Sequence, residues 1–213
     1  MKTSRKRKSI VVGVTGGIGS GKSEVCRLLH AMGAQVLSAD LIAREIIDTH
    51  PDVKRRIRKA FGENIYKDNG HLDRMAMASL IFDDDRLKIS LNRIVHHVVL
   101  KDLRKKILSS KSSKGPRILV VEAALIYEAH AEGLFDVIVV VDADEQMQVD
   151  RISERNGITR NQVQQRITSQ LPSQAKAAKA DFVIHNTRSL ETLKENCTFL
   201  FKLLRTLAVS SFV

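Results

Sequence analysis

The chain has 213 residues, 43% of them hydrophobic and 28% charged. That is enough for one α/β core with insertions, and it is unlike the composition of a disordered chain. No stretch of about 18 uncharged apolar residues occurs, so a membrane span is not expected. The formal net charge of +11 raises nucleic acid as a partner, but five positive charges (Lys2, Arg5, Lys6, Arg7 and Lys8) lie in the first eight residues. With 4% aromatic residues and no Trp to stack on bases, no specific nucleic-acid partner is expected.

Taken in chain order, residues 1–8 read as a basic flexible tail. The apolar run behind it breaks at once into glycines, too short for a signal peptide, so a cytoplasmic protein is expected. Residues 10–14 are β-branched and apolar, which predicts a buried strand. After a glycine-rich turn comes a helix with Val25, Leu28 and Leu29 on one face, ended by Gly33. Residues 35–39 predict a second strand. From Asp40 to about Ser110 the pattern is almost wholly helical, with a turn at Asp68-Asn69-Gly70, too long for an ordinary crossover. A loop over 111–116 leads to strands at 118–121, 137–141 and 182–184 and a closing helix over roughly 189–206. Apolar strands separated by helices imply a parallel five-stranded sheet covered on both faces, a three-layer α/β/α fold. Cys26 and Cys197 match no metal or redox spacing and are expected to be reduced and packed on helices.

Gly16-Gly17-Ile18-Gly19-Ser20-Gly21-Lys22-Ser23 satisfies G-x-x-x-x-G-K-[ST] between a strand and a helix. Glycines let successive backbone N–H groups turn toward phosphate oxygens, and the following helix adds its positive dipole end. Lys22 is expected to neutralise the β- and γ-phosphates of ATP, and Ser23 Oγ to ligate Mg²⁺. No guanine-reading Asn/Thr-Lys-x-Asp is present, and the third strand ends in Val121-Glu122-Ala123 rather than an acidic pair. Small size, the helical insertion and the basic stretch 151–179 point to a small-molecule kinase with a closing lid. Asp40 ends the second strand, where ligands of open α/β sheets bind. It reads equally as the group taking an acceptor hydroxyl's proton and as the N-cap of the following helix. Arg151, Arg155 and Arg166 read either as lid cations or as a solvated face.

The sequence resembles the dephospho-coenzyme A kinase family over nearly its whole length. The resemblance rests on Val14-Thr15 with the phosphate loop, Ala39-Asp40 with Ala43-Arg44, Gly70-His71-Leu72-Asp73-Arg74, Leu91-Asn92-Arg93-Ile94-Val95-His96, Arg155-Asn156-Gly157-Ile158-Thr159, Arg166 to Gln170, and Ala180 to Asn186. It implies phosphorylation of the ribose 3′-hydroxyl of dephospho-coenzyme A by ATP with Mg²⁺, in a protein expected to be monomeric. It implies a P-loop core (9–40, 111–150 and 179–213), a helical substrate domain (41–110) and a lid (151–178). By resemblance, Asp40, Lys22 and Arg155 are catalytic. Gly17, Ile18, Gly19, Ser20, Gly21, Lys22, Ser23, Glu24, Arg155 and Asn186 hold ATP, with Asn186 near its adenine end; Asp40, Arg44 and His96 face the acceptor. Departures from the family pattern are Ser38 for its first Asp, Glu24 for the hydroxyl residue after the loop, His97 for Pro, and Ala124-Leu125-Ile126 for Pro-Leu-Leu. Other readings of the same residues are a nucleoside-monophosphate kinase, a non-catalytic nucleotide binder, and a nucleic-acid-binding P-loop protein.

Overall fold

The structure is a computed structural model that describes residues 9–82, 84–111 and 118–210. The basic tail and most of the loop expected at 111–116 lie outside the described residues. The chain forms two compact units: residues 39–106, and the chain on either side of them.

The larger unit is built on five parallel strands: β1 (Ile10–Thr15), β2 (Gln35–Ser38), β3 (Ile118–Glu122), β4 (Val137–Asp142) and β5 (Phe182–His185), in the order β2-β3-β1-β4-β5. β1 lies at the centre, its Val12 opposite Val120 on one side and Val137 on the other. Both faces of β1 are covered, so every one of its residues is buried, and a β-branched run without polar alternation is what such a strand requires. The side-chain carboxylates of Asp136 and Asp181 accept the Val11 and Ile138 N–H groups at 2.8 and 2.7 Å, satisfying donors near the starts of β1 and β4.

Helices α1 (Lys22–Ala31) and α9 (Leu190–Ser210) pack one face of the sheet. α9 contributes Leu193, Cys197, Leu200, Leu204 and Ala208, a helical 4-3-4-4 spacing that puts one apolar stripe on the core. Cys26 and Cys197 are both buried free thiols on these helices, and burial, the larger cause, pushes the Cys197 pKa up to about 11. On the other face Ile126, Tyr127, Ile138 and Val140 pack with Phe135. After β4 come α6 (Glu145–Asn156), stopped by Gly157 in the left-handed region, α7 (Arg160–Thr168), opened by a Thr159/Gln162 capping box, and α8 (Ser173–Ala177).

β2 stops one residue earlier than its apolar pattern suggests. Ser38 makes the last ladder pair, with Glu122, and the helix α2 (Ala39–Thr49) starts directly after it. Asp40 therefore lies inside the first turn of α2 and not at its N-cap, where its charge still meets the positive end of the helix dipole.

The smaller unit holds α2, α3 (Pro51–Phe61), α4 (Arg74–Phe82) and most of α5 (Asp85–Lys111). Its mostly helical pattern is broken by a short 3₁₀ turn at Glu63–Ile65 and an antiparallel bridge between Tyr66 and Leu72 that closes around the expected turn at Gly70. Tyr66 donates its hydroxyl to Ile47 O at 3.0 Å. The Asp48 carboxylate, opposed by partial burial, is held below the usual carboxylate range by the Leu72 N–H, His71 and Arg74. The basic run on α3 is partly engaged: Lys54 and Arg58 lie over the Tyr66 ring, and Arg55 pairs with Asp52.

Candidate active site

The phosphate loop joins β1 to α1 at the carboxyl edge of the sheet. Its glycines leave little room for side chains, least at Gly16 and Gly21. A Cβ at Gly16, where φ is +146°, would collide with the Val141 carbonyl oxygen. One at Gly21, where φ is +98°, would collide with Asn186 Nδ2. Lys22 is nearly buried, and its Nζ bends back over the loop to donate to Gly16 O at 3.1 Å and Gly17 O at 2.8 Å. Ser20 Oγ is fully buried and, among the described residues, has no hydrogen-bond partner, which leaves an O–H donor beside the loop suited to a phosphate oxygen.

Ser23 Oγ donates to Glu122 Oε1 at 2.6 Å. Two hard oxygen donors on β3 and the first turn of α1 suit Mg²⁺, which takes few protein ligands and completes its shell with phosphate and water. Among the described residues no group of three or more His, Cys, Asp or Glu could hold a metal ion by itself. In the sequence Glu122 is a lone acid ending an apolar strand, with no motif that marks it for a role. The rule that singles out Asp40, a carboxylate at the carboxyl end of a strand, applies equally to it.

Glu24 turns its carboxylate to Arg27, which donates to it at 2.9 and 2.6 Å; that charge-assisted pair is the main cause of its lowered pKa. Asn186 is buried beside the loop, its Nδ2 donating to Ser20 O at 2.9 Å and its N–H to Asp142 O at 2.7 Å. Arg155 is exposed and bonds to its neighbour Asn156 at 3.1 Å, whereas Arg151, one turn earlier on α6, reaches Gly19 O at 3.3 Å. Ile18 packs on the Val149, Ile152 and Val163 cluster of α6 and α7, so the loop and these two helices share a small apolar core. A cavity of about 550 Å³ runs from Gly17 past Asp142, Glu145, Gln148, Gln170 and Ser173. Three carboxylates and no Lys or Arg line it.

In the helical unit, Asp40 and Arg44 are exposed on α2 at i and i+4, hence on one face. His96 is half-buried on α5, and burial lowers its pKa, favouring the neutral ring.

A parallel sheet in the order 2-3-1-4-5 with a phosphate loop after its central strand, a lysine folded over that loop and a serine–carboxylate pair beneath it defines a P-loop phosphotransferase. The sequence profile of dephospho-CoA kinase matches residues 10–192, and the chain belongs to the dephospho-CoA kinase family. A dephospho-CoA kinase of Geobacter sulfurreducens is 39% identical over 184 residues, covering 86% of this chain and 93% of the relative. One from Carboxydothermus hydrogenoformans is 38% identical over 185 residues, covering 87% and 89%. Among solved structures, one from Thermus thermophilus superposes with a TM-score of 0.76 at 31% identity, covering 92% of this chain and 98% of that one. A shikimate kinase from Acinetobacter baumannii, 15% identical with a TM-score of 0.55 over 94% and 96% of the two chains, shares the fold. The family is one of ATP-using kinases. Among the described residues no helix is long and apolar enough to cross a membrane.

Proposed function

We propose that this protein transfers the γ-phosphate of ATP to the ribose 3′-hydroxyl of dephospho-coenzyme A, acting as a cytoplasmic monomer without a nucleic-acid or membrane partner. The observation that carries the reading is the complete phosphate cradle, with Lys22 over the loop and Ser23 on Glu122 at 2.6 Å, in a chain of this family.

The loop N–H groups and Ser20 Oγ bind the β- and γ-phosphates, and Lys22 exchanges its two carbonyl partners for phosphate oxygens. Ser23 Oγ and Glu122 are the groups that would hold Mg²⁺, whose charge lowers the repulsion between the phosphates and an incoming oxygen. Arg44 and His96 engage the acceptor and leave its 3′-hydroxyl to Asp40. As the 3′-oxygen bonds to the γ-phosphorus, its proton passes to the Asp40 carboxylate and the bond from the γ-phosphorus to the bridging oxygen breaks, so that oxygen and its electron pair leave with ADP. Arg155 closes over the transferring group, and Asn186 supports the nucleotide side of the loop.

ADP release is the test, followed with and without dephospho-coenzyme A. Release should depend on the acceptor in the wild type. Asp40→Asn should lower kcat by about 10²–10⁴-fold and Lys22→Ala by about 10²–10³-fold, while both proteins stay folded. Tight ATP binding without acceptor-dependent release would overturn the assignment.

A further inference from the structure

Lys176 is the largest side chain among the fully buried ones, and the transfer reaction makes no use of it. Its Nζ donates to Glu128 at 2.8 Å and to Ala124 O at 3.0 Å. Each of these acceptors serves a second donor. Glu128 Oε1 takes the Leu171 N–H at 3.0 Å, and Ala124 O takes the Thr15 hydroxyl at 3.2 Å. Thr15 is the last residue of β1, directly before the phosphate loop. One residue before Leu171, Gln170 Oε1 accepts the Ile18 N–H at 3.2 Å. A backbone N–H can only donate, so this bond also fixes which end of the Gln170 carboxamide faces the loop.

Segment 170–176 therefore grips the rising arm of the phosphate loop on both flanks, directly at Ile18 and through Ala124 O at Thr15. A buried ion pair is a costly way to fill space, since apolar residues of similar volume often serve stability as well. What it adds here is placement: a charge held by two acceptors, each shared with a second donor, fixes 170–176 beside the loop, and with it the carboxamide that turns the Ile18 peptide.

We propose that Gln170, Glu128 and Lys176 are positioning residues that set the orientation of the Ile18 peptide in which the phosphate loop receives ATP. The inference concerns the loop and holds whichever acceptor the enzyme uses. The test compares Gln170→Ala, the charge-free pair Glu128→Leu with Lys176→Met, and the triple variant. Either single change in the ion pair would leave the other charge buried alone, which is why both are replaced together. The readouts are Ile18 amide hydrogen exchange, the affinity for ATP, kcat with its KM for ATP, and the unfolding temperature. Gln170→Ala and the charge-free pair should each speed Ile18 exchange and lower kcat/KM for ATP at least tenfold, with the unfolding temperature of Gln170→Ala unchanged. The triple variant should lose no more than about twofold beyond the charge-free pair, as expected of groups acting through one peptide. A folded charge-free pair with wild-type exchange and ATP constants would overturn the proposal, as would losses that multiply in the triple variant. If the charge-free pair does not fold, Gln170→Ala decides: unchanged Ile18 exchange and ATP affinity overturn the proposal.

Discussion

At the scale of single residues, the site depends on where a few polar atoms find partners. Lys22 and Ser23 are adjacent in sequence, yet one side chain turns to loop carbonyls and the other to Glu122 on the next strand. Glu122 tests how much that pairing matters. Glu122→Gln keeps the size and the hydrogen-bonding capacity but removes the charge. It should raise the Mg²⁺ concentration for half-maximal rate by about 10–100-fold, with the KM for the acceptor little changed, in a titration at fixed ATP. An unchanged Mg²⁺ requirement would remove Glu122 from the cation's surroundings. Glu24 shows the opposite case. Its carboxylate is engaged by Arg27, so the charge that replaces the family's hydroxyl there is partly neutralised. Arg155, assigned to the phosphates by resemblance, is exposed, and the arginine bonded to the loop is Arg151.

At the scale of elements, α1 and α9 clamp the face of the sheet beneath the phosphate loop. Leu204 is fully buried in that layer, on the stripe that includes Cys197 and Leu200. Leu204→Ala should destabilise the protein by about 2–5 kcal/mol, measured by urea unfolding. Leu207, one turn further on and partly exposed, is a suitable comparison, and the same substitution there should cost under about 1 kcal/mol. If both positions gave equal losses, the core would not run along the stripe described. The elements were largely legible from pattern: all five strands and the closing helix lie where β-branched runs and helical spacing put them, because those signals depend only on near neighbours. The boundary between β2 and α2 was less so. Ala39 suits a strand or a helix, and the end of the ladder at the Ser38–Glu122 pair decides the matter.

For the whole molecule, charge is the property most open to misreading. Of the net +11, residues 1–8 carry five positive charges and no acid. On α3, Lys54 and Arg58 lie over the Tyr66 ring and Arg55 pairs with Asp52. Deleting residues 1–8 should weaken any binding to duplex DNA at about 50 mM salt by tenfold or more and flatten its salt dependence, leaving kcat for phosphate transfer unchanged. DNA affinity that survived the deletion with its salt slope intact would reopen the nucleic-acid reading.

The sequence alone determined the phosphate loop, the parallel α/β core and the long helical insertion, because each is written in contiguous residues whose chemistry is local. Only the tertiary structure decided which distant groups serve the loop. Glu122 meets Ser23 across 99 residues, Gln170 meets Ile18 across 152, and Asn186 meets Ser20 across 166. These partners are brought together by the order β2-β3-β1-β4-β5, which sets β3 and β4 on either side of β1, with β5 next to β4. A hydrogen bond between groups so far apart in the chain leaves no periodic trace, so it becomes visible only once the strands are side by side.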